Sequence, residues 1–221
     1  MSESVVVIGA TGLIGSQLLN LLLNDDRFNE VNILVRKWNG INHPKLRVHT
    51  IDLQNIQQIK EPIGKGSSIF CCIGTTKSNV KGDLDLYRKI DIDIPANTAR
   101  IGIENGYKKY LLVSAVGADV NSSNYYLKFK GEAEANIQKL PFESTHIFRP
   151  SFLLGNRKEN RPMEKILNPI MKGLSPLLFG GWRKYRPIES NAVAISMMNA
   201  SLSSSNGNHI YHYDDMKSLN N

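Results

Sequence analysis

Val5-Val6-Val7-Ile8 is an unbroken β-branched run, the composition of a strand covered on both faces in a parallel sheet. Behind it Leu13, Ile14, Leu18, Leu19, Leu21, Leu22 and Leu23 predict a helix that is apolar on most of its surface and ends near Asn24-Asp25-Asp26. The alternation then repeats. Strands are expected at Val31–Val35, Leu46–Ile51, Ser67–Ile73, Tyr110–Ser114 and Ser144–Phe148. Helices are expected from Leu53 to about Lys60, Leu84–Asn105, Asn124–Leu140 and Glu189–Leu202. Pro95 should kink the Leu84–Asn105 helix or mark a late start, and Gly106 is a natural stop. His209–Tyr213 reads as a last short strand.

Strands that alternate with helices argue for βαβ units, hence an α/β fold: a Rossmann-type, doubly wound parallel sheet with helices on both faces. Residues 151–184 break the rhythm with Pro162, Pro169, Gly173, Pro176, Gly180 and Gly181. They predict a small, loop-rich C-terminal cap with one helix near Met163–Met171. The 221 residues suit a single domain over 1–221 carrying that cap.

Composition narrows the function classes. The formal net charge is +7, from 27 Lys and Arg against 20 Asp and Glu, which suits an anionic ligand. The basic residues are scattered without interleaved aromatics, so no specific nucleic-acid partner is expected. Two adjacent cysteines, Cys71 and Cys72, offer neither a disulfide framework nor zinc spacing, and the five histidines show no metal-binding pattern. With no signal-like start and no apolar run long enough to span a bilayer, a cytoplasmic protein is expected. Its state is monomer or homodimer, with the apolar stretch 169–182 as the candidate interface.

Candidate chemistry gathers where ligands bind on such sheets, outside the carboxyl ends of the strands. Gly9-Ala10-Thr11-Gly12-Leu13-Ile14-Gly15 lies between the first strand and the first helix. Its glycines permit the turn, the approach of a phosphate to bare backbone, and close helix–strand packing. The free amides at the helix start favour an anion. Gly9, Thr11, Gly12, Leu13, Ile14 and Gly15 are therefore assigned to a pyrophosphate. The second strand ends in Val35-Arg36-Lys37, with no carboxylate for a ribose 2′-OH. A guanidinium grips a 2′-phosphate bidentately and Lys37 adds a point charge, so NADP(H) is expected over NAD(H). Asp52, with Leu53 beside it, is placed to accept from the adenine amino group. Gly74, Thr75 and Thr76 close the fourth strand on the same side.

Tyr126 and Lys130 stand four apart, so both project from one helix face. An ammonium beside a phenol favours the phenolate, which makes Tyr126 a candidate general acid or base for a carbonyl or alcohol. Ser114, at the end of the fifth strand, is expected to hydrogen-bond the same oxygen. Tyr125 has Phe129 four residues on and no charge to draw upon.

These residues resemble the short-chain dehydrogenase/reductase superfamily in its extended or atypical branch, the branch of NAD(P)-binding epimerase/dehydratase-like proteins. Gly9–Gly15 matches its glycine fingerprint, and Ser114, Tyr126 and Lys130 match its catalytic serine, tyrosine and lysine. Arg149-Pro150-Ser151-Phe152-Leu153-Leu154-Gly155 resembles the segment after its sixth strand. More narrowly, Cys72–Lys77, Ser114–Asp119 and Tyr126–Glu134 are similar to the Tat-interacting-protein-type oxidoreductases. The resemblance covers roughly Val5 to Ala200. It implies a Rossmann fold, NADP(H) binding and hydride transfer with tyrosine as proton donor, and it gives Lys130 a second role on the nicotinamide ribose. Ala115 and Val116 depart from the pattern, standing where relatives often have a second serine and a polar residue.

The expected function is an NADP(H)-dependent oxidoreductase acting on a small carbonyl or alcohol. The alternative is an NADP(H)-binding redox sensor or protein-interaction regulator without turnover. An epimerase or dehydratase would need a longer substrate domain.

Overall fold

A computed structural model describes residues 3–155 and 178–220. Strands β1 (Glu3–Ile8), β2 (Phe28–Val35), β3 (Leu46–Thr50), β4 (Ser68–Cys71), β5 (Lys109–Val113), β6 (Ser144–Phe148) and β9 (Gly207–Tyr211) form one seven-stranded sheet in the order β3-β2-β1-β4-β5-β6-β9. Every neighbouring pair in it is parallel. A two-stranded parallel pair, β7 (Leu153–Leu154) and β8 (Ile188–Glu189), lies apart from it. This is the expected Rossmann architecture.

Side-chain alternation divides the sheet residues between two cores. Val5 and Val7 of β1, with Ile33, Phe70, Leu111 and Phe148, face α1 (Leu13–Leu23) and α6 (Ser190–Leu202). Val6 and Ile8, with Leu34, Ile69, Cys71 and Leu112, face α2 (Ile56–Ile63), α4 (Ile94–Glu104) and α5 (Tyr125–Gln138). Both sets are buried, which is why the strands carry almost no polar alternation. Asn55, Asp83 and Asn124 cap α2, α3 (Leu84–Arg88) and α5 by accepting backbone hydrogen bonds in the first turn.

The single helix expected over Leu84–Asn105 is three pieces: α3, a π-helical turn at Lys89–Asp93, and α4. Pro95 sits just after the π-helical turn, at the second residue of α4, where the change of helix type interrupts the regular hydrogen-bond ladder. A further helix, α7 (Tyr213–Ser218), follows β9. It replaces the end of the expected strand at 209–213, whose observed span is 207–211. Of the expected cap at 151–184, β7 and a 3-10 turn at Gly180–Tyr185 are described, and β8 lies just beyond it. The helix near Met163–Met171 and most of the 169–182 stretch lie outside the described residues.

Candidate functional site

The carboxyl end of the sheet collects the site. At the first turn Gly9 has φ +83°, and a Cβ there would stand 2.7 Å from the carbonyl carbon of Cys72. A Cβ on Gly15 would overlap the carbonyl of Gly9, so helix and strand touch backbone to backbone. The N–H of Gly12 donates to the Gly9 carbonyl at 3.0 Å and closes the turn. Gly12 caps α1 without a side-chain hydrogen bond, and no acidic residue occupies the first turn. The amides of Leu13, Ile14 and Gly15 are thus left for an external acceptor at the positive end of the helix dipole. Thr11 and Gly12 are exposed beside them, whereas the Ile14 side chain is buried in the core and offers only its backbone.

One strand over, Arg36 and Lys37 are exposed just beyond β2. Neither has an ion-pair partner among the described residues. Asp52 uses its carboxylate locally: Oδ1 accepts from the N–H of Gln54 at 3.0 Å. Leu53 beside it is buried against α2 and β4.

The centre of the site is Lys130. It is 5% exposed, and its Nζ faces Oδ1 of the fully buried Asp91 at 3.0 Å. That oxygen takes no hydrogen bond besides this ion pair. The other oxygen of Asp91 accepts from the N–H of Thr75 at 2.9 Å. Burial alone would push the ammonium's pKa down; the Asp91 carboxylate, helped by the Tyr126 phenol, outweighs it and holds Lys130 above the usual lysine range, hence charged. A Cβ on Gly74 would stand 3.1 Å from Nζ, so the loop after β4 passes directly over the ammonium. Thr75 is buried and Thr76 half-buried, its Oγ1 accepting from the N–H of Asn79 at 3.3 Å. Tyr126, one turn before Lys130, is 40% exposed and opens the site to solvent.

Gly131 sets how deep this helix sits. A Cβ there would stand 2.5 Å from the backbone at Asp119 and Val120, so only glycine lets α5 press against that loop. Asp119 N–H also donates to the Leu127 carbonyl at 3.1 Å, tying the loop to the turn between Tyr126 and Lys130.

Ser114 is placed differently from the expectation. It is 3% exposed, and its hydroxyl donates to Oε1 of Glu134, not to a group beside Tyr126. Glu134 in turn pairs with Arg149, Nε to Oε1 at 3.0 Å and Nη2 to Oε2 at 2.5 Å. The structure therefore brings Lys130, Gly74 and Thr75 together around Asp91, with Tyr126 facing Lys130, and directs the Ser114 hydroxyl into a second polar cluster. Asp91 and Glu134 were not among the residues expected from sequence. The available signal for Glu134 was its spacing, four residues beyond Lys130 and eight beyond Tyr126. For Asp91 it was an acid among Ile90, Ile92 and Ile94, where a buried lysine would require a countercharge.

A family model described as NAD(P)H-binding matches residues 9–167, from the first glycine of the turn through both polar clusters. The chain belongs to this NAD(P)H-binding family. Its curated relatives place it among the atypical short-chain dehydrogenase/reductase proteins. It is 33% identical to Protein HTATIP2 of Rattus norvegicus over 172 residues, covering 74% of this chain and 68% of the relative. It is 31% identical to Protein FMP52, mitochondrial, of Candida albicans over 196 residues, covering 86% and 84%. A UDP-N-acetylglucosamine 4-epimerase from Methanobrevibacter ruminantium superposes with a TM-score of 0.72 at 19% identity, over 96% of this chain and 76% of that one. The Bordetella bronchiseptica enzyme WbmH, solved with NAD+, superposes at 0.73 and 14% identity, over 96% and 76%. These superpositions establish the fold. Among the described residues no helix is long and apolar enough to cross a membrane.

Proposed function

We propose that the protein is an NADP(H)-dependent oxidoreductase that interconverts a small carbonyl and its alcohol, with Tyr126 as the proton-transferring group. The observation that carries this reading is the buried Lys130–Asp91 pair beneath a half-open tyrosine, at the strand ends where the glycine turn also lies. A surface Tyr-x-x-x-Lys would leave its ammonium in water; this one is desolvated and countered.

The cofactor fits what the chain offers. The open amides of Leu13, Ile14 and Gly15, beside exposed Thr11 and Gly12, suit a pyrophosphate. Arg36 and Lys37, exposed and without an ion-pair partner among the described residues, suit a 2′-phosphate, which is why NADP(H) is proposed over NAD(H). Asp52 and Leu53 border the expected adenine position, and Gly74, Thr75 and Thr76 the nicotinamide side. When bound, the cofactor supplies or takes up a hydride. Tyr126 then gives its hydroxyl proton to the oxygen of the reduced carbon, or removes it in the reverse direction. Lys130 keeps a positive charge one helical turn away, which favours the phenolate left behind and gives the proton a route to return. Asp91 holds Lys130 in place and links it to the Thr75 loop. Lys130, whose ammonium lies beside Gly74, would also hold the nicotinamide ribose.

Burial pushes the thiols of Cys71 and Cys72 up, away from the reactive thiolate. This weighs against a redox sensor built on these two thiols. Two unpaired cysteines suit a reducing compartment, and we take the protein as cytoplasmic, although relatives such as FMP52 are named mitochondrial. The test is NADPH oxidation across a panel of small aldehydes and ketones. The wild-type protein should oxidise NADPH with at least one of them, and Tyr126→Phe should lose about 100-fold or more in kcat while still binding NADPH. Equal rates from both proteins would remove Tyr126 from the chemistry.

A further inference from the structure

Tyr126, Lys130 and Glu134 stand four residues apart on α5, so one face of the helix carries a phenol, an ammonium and a carboxylate in a row. Each buried charge meets a countercharge from another element, Asp91 for Lys130 and Arg149 for Glu134. Ser114 lies at the Glu134 end of the row. A hydroxyl bonded to an ionised carboxylate must donate its one proton there, because the carboxylate only accepts. The same carboxylate oxygen accepts from Nε of Arg149, so both neighbours pull on one atom.

The spacing decides what Ser114 can reach. Tyr126 and Glu134 are eight residues apart, about 12 Å along a helix axis, and helical side chains lean toward the N-terminus. Both side chains lean the same way, so that axial separation is kept between the phenol and the carboxylate that holds the hydroxyl. Backbone bonds hold the other side of the cluster: Ser114 N–H donates to the Phe148 carbonyl at 2.7 Å, and Arg149 N–H to the Tyr211 carbonyl at 2.9 Å.

We propose that Ser114, Glu134 and Arg149 form a buried brace that fixes α5 against the ends of β5 and β6, and that Ser114 and Glu134 are positioning residues for Tyr126 that do not touch the reacting oxygen. The proposal rests on the Tyr126–Lys130 reading above. It deepens that reading, since Ala115 next along the chain brings no hydroxyl and the Tyr126 phenol is left as the hydroxyl that serves the reacting oxygen. Among the described residues, His212 faces both Arg149 and Glu134 of the brace and is itself faced by Asp215 and Lys184, while Lys130 lies one turn along α5.

Two readouts test it. On a carbonyl that supports NADPH oxidation, Ser114→Ala should lower kcat by less than about tenfold with a lowered Tm. A group that touches the reacting oxygen would cost about 100-fold or more, and such a loss at unchanged Tm would overturn the proposal. The second readout needs no substrate: phenolate absorbance against pH, with Tyr126→Phe subtracted to isolate Tyr126. Glu134→Gln leaves the Arg149 charge unbalanced and should move the Tyr126 titration down by roughly half a pH unit. The double variant Glu134→Gln/Arg149→Met should bring it back, and it replaces the single variant should that protein not fold, with Arg149→Met alone then expected to move the titration up. A Tyr126 titration indifferent to every one of these changes would also overturn the proposal. Failure of the underlying reading looks different: Tyr126→Phe would keep its activity.

Discussion

Replacing Asp91 by asparagine removes one charge from the most deeply buried ion pair in the described structure. The Lys130 side chain is 7% exposed and that of Asp91 0%, with 3.0 Å between Nζ and Oδ1. Breaking such a pair costs about 3–5 kcal/mol, because the remaining ion stays desolvated without a partner. Asparagine can still accept from the Thr75 N–H through its amide oxygen, so the lower end, about 3 kcal/mol, applies. For a domain of this size 1 kcal/mol corresponds to roughly 2–4 °C in Tm, and Asp91→Asn should melt roughly 6–12 °C below wild type by circular dichroism. Lys130→Met in the Asp91→Asn background should recover most of the loss, since an apolar side chain of similar length needs no countercharge. A double-mutant cycle should then show coupling of about 2 kcal/mol or more. A Tm within 2 °C of wild type for Asp91→Asn, or additive single effects, would refute the claim that Asp91 is what keeps a charged lysine under Tyr126.

Other consequences are open to simple measurement. Arg36→Ala should weaken NADPH binding about 10- to 100-fold, the value of a charge-assisted contact to a 2′-phosphate, and leave NADH within about twofold; fluorescence titration of both cofactors reads it, and equal losses would remove the 2′-phosphate role. Gly15→Ala places a methyl group on the Gly9 carbonyl, so both dinucleotides should lose affinity together with a drop in Tm. Burial, reinforced by His209 and Lys109, holds the His146 imidazole down at about 4. The unfolded chain therefore takes up that proton first as pH falls, and stability present above pH 6.5 should decline by about 3 kcal/mol on going down to pH 4. Urea midpoints across that range should show a steeper fall for wild type than for His146→Asn.

The parallel sheet was legible because its central strands are buried on both faces. Runs such as Val5–Ile8 have no other economical place in a fold, and each is separated from the next by a helix-length segment. Pro95 marked a disturbance in the long helix, but no local pattern records that it takes the form of a π-helical turn at Lys89–Asp93. α7 was missed because Tyr213–Ser218 is short and carries three charged residues, so little periodicity exists to read. At the site, Tyr126 and Lys130 were legible because four-residue spacing needs only one helix. Asp91 lies 39 positions before Lys130 and on a different element, so their pairing is a property of the packed sheet. The Ser114 hydroxyl is a similar case: the residue stands at the expected strand end, while Glu134 and Arg149 decide where its proton points.

Transfer of deuterium from the reduced cofactor is the most direct test of the central claim. With NADPH deuterated at the transferring position of its nicotinamide and a carbonyl from the panel, the account predicts one deuterium on the carbinol carbon of the product by mass spectrometry. It also predicts product formed about 100-fold more slowly or worse by Tyr126→Phe at saturating, bound NADPH. Saturated NADPH that is never consumed by the wild-type protein with any carbonyl would contradict it and leave a dinucleotide-binding protein without turnover.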